Sequence, residues 1–259
     1  MKIIHLTDLH LPAPGSDLWG LDPFARAASA LDDIARHHAD ADLCVISGDL
    51  ANHGDPGAYA WLGGKIAAFP LETVLMIGNH DDRAVAAKTL PSLARDGAGF
   101  IQCARDLGPF RLLFLDTVQG ETSAGAYCQR RQDWLAAELS AAEGRPVVIF
   151  MHHPPFDVGI PYMDRIKLED HAAFESLIGG HDIRHLFFGH IHRPCFVTWQ
   201  GIPCSALPAT AHQVPLDRPA MGTSYSIEPP MYGVITLTEE QTIVHLDAWA
   251  DRRPADMDW

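Results

Sequence analysis

The chain has 259 residues, 47% of them hydrophobic, a net charge of -14 and no run of Lys or Arg. This length and apolar content can bury a substantial core, which excludes a disordered chain and fits a single domain over 1–259. A nucleic-acid polymer or an anionic membrane surface needs clustered positive charge on its partner, so neither is expected here.

The first apolar run, Ile3 to Leu6, is too short for a signal peptide, and a cytoplasmic location is the expectation. It is predicted to be a buried strand and is followed by Asp8-Leu9-His10. A helical spacing over Pro23–His38 leads to a second strand, Leu43 to Ile46, which runs into Ser47-Gly48-Asp49. A helix over Ala58–Phe69 precedes a third strand, Thr73 to Ile77, which ends in Gly78-Asn79-His80-Asp81. Then come a helix over Arg83–Leu93, a strand over Leu112–Leu115 ending in Asp116-Thr117, and a helix over Gln132–Ala142. The strand Val147 to Met151 runs into His152-His153-Pro154-Pro155. A helix over Glu169–Ile178 precedes the strand His185 to Phe188, which ends in Gly189-His190-Ile191-His192. Strands alternating with helices predict an α/β architecture with at least one largely parallel sheet.

Beyond His192 the pattern changes to a hairpin, Phe196–Trp199 against Ile202–Ala206, and then to a Pro-, Gly- and Ser-rich excursion over 207–230. Two strand-like runs, Tyr232 to Leu237 and Thr242 to Trp249, turn at Glu239-Glu240. A loop of that length in a compact fold is usually functional, so the excursion is expected to be a lid over a pocket or a contact with a second copy of the chain. The five cysteines form no Cys-X-X-Cys pair and read as reduced packing residues.

Histidine carries the functional signal, with 15 in the chain, several standing where apolar runs end. In α/β sheets ligands bind at the carboxyl ends of the strands, and five strand ends here offer carboxylate, amide or imidazole. On an extended segment the side chains of Asp8 and His10 would point the same way and meet at one ion. Glycine precedes the candidate ligand in three blocks, which suits a backbone turning sharply beside an ion or a phosphate. Oxygen and imidazole donors without sulfur suit zinc, iron, manganese or cobalt. Bound ions would also give an acidic protein the local positive charge that a phosphate needs.

The ordered blocks Asp8-Leu9-His10, Gly48-Asp49, Gly78-Asn79-His80-Asp81, His152 and Gly189-His190-Ile191-His192 resemble the calcineurin-like metallophosphoesterases. Gly78 to Asp82, Phe150 to Pro155 and Ala211-His212-Gln213-Val214-Pro215 look most like the bacterial class III cyclic-nucleotide phosphodiesterases and glycerophosphodiesterases. The resemblance implies a four-layer αββα sandwich and two metal ions. It places Asp8, His10, Asp49 and His192 on one ion and Asp49, Asn79, His152 and His190 on the other, with Asp49 as the bridge. It implies hydrolysis of small phosphodiesters by a metal-bound hydroxide, with two ions clamping the phosphoryl oxygens. His80 would face the substrate and protonate the leaving oxygen or stabilise developing charge. Asn52 and His212 match positions near the substrate pocket, and His153, which points away from His152 on the strand end, is expected beside the metals or facing substrate, with packing as the alternative.

Other polar residues have plainer readings. Asp81 orients His80 or caps its loop, and Asp116 is a turn or supporting carboxylate. Asp32 and Asp33 read as a solvated helix face, and the scattered tryptophans as core packing. A phosphomonoesterase with the same metals is the competing enzyme reading, and a scaffold that keeps the fold without catalysis is the non-enzymatic one; the filled ligand positions argue against the scaffold.

Overall fold

The apolar runs become strands because their β-branched and aromatic residues are buried on both faces, which a sheet covered on both sides requires. The computed structural model describes residues 1–120, 122–216 and 224–251. In chain order its elements are β1 (Lys2–Leu6), α1 (Pro23–His37), β2 (Leu43–Ser47), α2 (Pro56–Ala67), β3 (Thr73–Met76), α3 (Arg83–Thr89), β4 (Cys103–Leu107) and β5 (Phe110–Phe114). There follow α4 (Gln129–Ser140), β6 (Val147–Met151), α5 (Pro161–Arg165), α6 (His171–Ile178), β7 (Ile183–Phe188), β8 (Cys195–Trp199), β9 (Ile202–Ala206), β10 (Tyr232–Leu237) and β11 (Thr242–Asp247).

The strands form two sheets, ordered β11-β10-β1-β2-β3 and β4-β5-β6-β7-β9-β8. Within them β1, β2 and β3 run parallel, as do β5, β6, β7 and β9, while β4, β8, β10 and β11 add antiparallel margins. Period-two alternation divides each strand between two cores. Ile3, Val45, Phe114, Phe150 and Phe187 meet between the sheets. Ile4 and Ile46 turn outward onto Ala30, Ile34, Tyr59 and Leu62 of α1 and α2. On the other side Ile149, Leu186 and Phe188 turn onto Leu135, Leu139 and Phe174 of α4 and α6. The result is the expected α/β four-layer αββα sandwich. Phe150 stacks between Phe114 and Phe187, at 5.2 and 5.0 Å between ring centroids. Each such buried ring contributes about 1.5–3 kcal/mol, and together they make a rigid floor beneath the strand ends.

Several expectations need correction. α3 stops at Thr89 and not at Leu93, because Pro91 disfavours helical geometry at Leu90. α2 begins two residues early, where the Asp55 side chain accepts from the backbone N–H groups of Gly57 and Ala58. β4 was not predicted, since its sequence Cys-Ala-Arg-Asp-Leu lacks an apolar face and it lies at a sheet edge. Asp33 is not solvated: it is buried under β10 and accepts a 2.6 Å hydrogen bond from the Tyr232 hydroxyl. Of the tryptophans described, Trp249 is buried but Trp19 is 58% exposed, so core packing does not account for it.

The hairpin β8–β9 and the terminal pair β10–β11 are as expected. Of the 207–230 excursion, residues 217–223 lie outside those described. Its flanks are tied down by reciprocal backbone bonds between Gln213 and Ser226 and by Arg193, which donates to the Val214 carbonyl at 2.7 Å. Among the described residues, no helix is long and apolar enough to cross a membrane.

Candidate metal centre

The blocks at the ends of β1, β2, β3, β6 and β7 meet at one edge of the two sheets. Backbone bonds extend the parallel ladder past the strands and fix the loops there: Asp8 N donates to Gly48 O at 3.1 Å, His10 N to Asp49 O at 2.9 Å, and Gly189 N to His152 O at 3.1 Å. The second sheet is locked to the first through His190 N, which donates to the Asp8 carboxylate at 3.2 Å.

Asp8 and His10 converge for a different reason from simple strand alternation. Their φ angles are +55° and +45°, and Asp49, His190 and His192 stand at +49°, +69° and +51°. Left-handed backbone costs a residue with a Cβ about 1–2 kcal/mol, so five such residues at one site mark a conformation maintained for geometry and not for local stability. Of the glycines before the ligands, Gly48 turns the backbone with φ of +113°, as expected, while Gly78 and Gly189 serve packing. A Cβ on Gly78 would strike the Asp49 carboxylate and the His152 ring, and one on Gly189 would strike the Thr7 hydroxyl and Asp8.

Donor atoms of Asp8, His10, Asp49 and His192, all buried, lie within 4.8 Å of one another. Asp49 Oδ2 is 3.3 Å from His10 Nε2 and 3.3 Å from His152 Nε2, between the two groups of imidazoles. Asp8 Oδ1 is 3.3 Å from His192 Nε2. On the other side Asn79 Oδ1 and His190 Nδ1 face each other at 2.8 Å.

Hydrogen bonds behind the rings set their tautomers. His192 Nδ1 lies 3.0 Å from His212 O, His152 Nδ1 is 3.0 Å from Ser47 O, and His10 Nδ1 is 3.1 Å from Asn52 Oδ1. These acceptors carry no proton, so each Nδ1 is the donor and each Nε2 turns a lone pair toward the carboxylates when the ring is neutral. Such backing is typical of metal-ligating histidine. His152 Nε2 is buried without a hydrogen-bond partner, and an unpaired buried nitrogen among carboxylates is what a cation would satisfy. The residues therefore fit divalent ions.

The electrostatics agree with that fit. Burial opposes ionisation of Asp8, but His192 and His10 hold its carboxyl well below the usual range; for Asp49, also buried, His152 and His80 have the same effect. Burial disfavours charge on His152, yet the Asp49 and Asp8 carboxylates raise it to about 9. Burial lowers His10, and burial with the neighbouring His152 lowers His190 to about 3.

His80 lies at the cleft, with its backbone N–H on Asp49 Oδ1 and its Nδ1 donating to Asn52 O, both at 2.9 Å. Asn52, expected near substrate, lines the cleft and also orients both His10 and His80. Asp81 does not orient His80; it accepts from the N–H groups of Gly78, Leu50 and Ala51 and from the Tyr59 hydroxyl, and so caps the loop. His212 lines the cleft with its ring 4.4 Å from that of His192. His153 is fully buried, with Nδ1 2.7 Å from Thr117 Oγ1 and its ring packed against His190 at 4.6 Å; it is not among the residues lining the cleft. Asp116 supports the rim by receiving Arg83 in two bonds of 2.7 and 2.9 Å.

The sequence did not point to Trp19, Tyr162, Met163 and Tyr225, which also line the cleft. Tyr162 and Met163 belong to the five-residue α5, too short to show periodicity, though Pro161 at its start is a helix signal.

A family model for calcineurin-like phosphoesterases matches residues 1–194. Over 95% of its length the chain is 37% identical to a probable cyclic nucleotide phosphodiesterase of Rhodopseudomonas palustris, covering 91% of that protein. Over 89% it is 30% identical to a glycerophosphodiester phosphodiesterase of Enterobacter lignolyticus, covering 84% of it. A cAMP/cGMP dual specificity phosphodiesterase of Mycobacterium tuberculosis is 31% identical over 85% of the chain and is covered over 71% of its own length. Among solved structures, a dimetal phosphatase from Danio rerio superposes with a TM-score of 0.73 at 16% identity, with 96% of each chain covered.

Proposed function

The chain belongs to the calcineurin-like phosphoesterase family, and from that premise we propose that it is a metal-dependent phosphodiesterase that hydrolyses small phosphodiesters, cyclic nucleotides or glycerophosphodiesters among them. The observation that carries the reading is Asp49, whose Oδ2 stands 3.3 Å from an imidazole of each group and so can join two ions.

Asp8, His10, Asp49 and His192 would hold one ion, and Asp49, Asn79, His152 and His190 the other, with iron, manganese, zinc or cobalt suited to these donors. When bound, the pair supplies neutralisation of the phosphoryl oxygens and lowers the pKa of water. The chain's own residues do the rest. The carboxylates and the backed imidazoles fix the positions of charge before substrate arrives, so little reorganisation is left for the reaction. His80, anchored through Nδ1, leaves Nε2 to carry the proton that departs with the leaving oxygen. His212 and Asn52 wall the cleft beside it. Five free cysteines support a reducing compartment, the cytoplasm.

Paired assays of an aryl phosphodiester and its monoester, with manganese, cobalt or zinc added, test this reading. The expected result is a higher kcat/KM for the diester, abolished by chelation. A higher value for the monoester would make the protein a phosphomonoesterase, and turnover of neither would sink the proposal.

A further inference from the structure

Beside the metal centre is a second cavity of about 300 Å³, lined by Leu18, Trp19, Leu21, Tyr225 and Ile227. It shares Trp19, Tyr225 and His212 with the cleft at the candidate metal ligands. The Trp19 and Tyr225 rings are stacked, 4.3 Å apart and 16° from parallel. Both reach the metal centre through His212, which meets Trp19 edge-on at 4.9 Å and lies 4.4 Å from the His192 ring.

Fold stability does not explain Trp19. The reciprocal backbone bonds between Leu18 and Leu21, 2.9 and 3.0 Å, make Trp19 and Gly20 the central pair of a tight turn, with φ of +54° and +80°. Such turns favour Asn or Gly at the first central position, and a bulky residue there is strained. The indole is nevertheless presented 58% exposed, with Ile227 beside it 63% exposed. A strained backbone that exposes a large aromatic ring at the mouth of a reactive cleft indicates binding.

Resting on the phosphodiesterase reading above, we propose that Trp19 and Tyr225 form the subsite for a nucleobase, so that the enzyme prefers phosphodiesters of nucleosides to those of glycerol. The phosphate lies at the metal centre, the base stacks on the open face of the indole, and Leu18, Leu21 and Ile227 enclose its edge. A glycerol headgroup has no flat face to place there.

Two kinds of measurement test this on the metal-reconstituted full chain. Calorimetric titration compares adenosine monophosphate with glycerol 3-phosphate, which share the phosphate but carry a nucleoside and a glycerol respectively, and with ribose 5-phosphate, which lacks only the base. The wild type is expected to bind the nucleotide at least fivefold more tightly, Trp19→Ala to lose that preference by roughly five- to a hundredfold, as base stacking implies, and Trp19→Phe to retain most of it. Absence of the preference in the wild type, or its persistence in Trp19→Ala, would overturn the proposal. Persistence combined with a change of mass in solution would assign the exposed rings to a contact between copies of the chain. Turnover of cyclic AMP and a glycerophosphodiester separates the two readings. Intact nucleotide preference with neither ester hydrolysed would remove the phosphodiesterase reading and leave the subsite standing.

Discussion

At the scale of single residues, the chemistry depends on groups that hold other groups in place. Asn52 receives His10 Nδ1 through its side chain and His80 Nδ1 through its carbonyl. Removing the side chain frees His10 to rotate or change tautomer. Asn52→Leu is expected to weaken metal affinity about 10- to 100-fold while the thermal midpoint of the metal-free protein stays within a few degrees; competition with a chelator of known affinity measures it, and unchanged affinity would make the His10 contact incidental. His80 tests a different property. If its Nε2 protonates the leaving oxygen, His80→Ala should slow hydrolysis of an alkyl diester by about 10²–10⁴-fold. A diester that expels nitrophenoxide, which needs no proton, should be slowed far less. Equal losses on both substrates would assign His80 to phosphate binding instead.

At the scale of elements, each strand end is held by its neighbours, and the same packing buries two histidines that play no part in the metal centre. His5 of β1 bonds Ser47 Oγ at 2.7 Å, and His185 of β7 bonds Ser205 Oγ at 2.9 Å while stacking on Phe187. Burial lowers them to about 3 and about 4, so both are neutral in the folded protein. The unfolded chain takes up these protons below about 6.5. Stability from this source is therefore complete above that pH and is lost as pH falls toward 4. For His185 the loss between pH 7 and pH 5 is about 2 kcal/mol. Urea unfolding at the two pH values should show that difference shrinking by this amount in His185→Phe. Acid release of metal affects both proteins alike, so an unchanged difference would mean that His185 titrates normally in the fold.

The elements also show what the sequence could carry. Strands buried on both faces were legible as apolar runs, and the five blocks were legible because each follows such a run. The left-handed backbone at Asp8, His10, Asp49, His190 and His192 was not, since none is glycine and nothing local announces it. β4 escaped because an edge strand needs no apolar face. Trp19 escaped because an aromatic residue reads as core until the fold brings Tyr225 against it.

For the whole molecule, a net charge of -14 and a phosphate substrate are reconciled only where cations concentrate positive charge. Two sheets packed through a phenylalanine layer bring their strand ends to one edge, and the conformations imposed there are offset by the rest of the sandwich. In the proposed mechanism Asp49 joins two ions in one catalytic centre. Elemental analysis of the purified protein beside Asp49→Ala, with diester turnover measured on the same samples, tests it directly. About two ions per chain are expected in the wild type for a two-metal site, with at least one ion and nearly all turnover lost in Asp49→Ala. An Asp49→Ala protein that keeps the wild-type metal content and turns over the diester undiminished would show that Asp49 joins no ions.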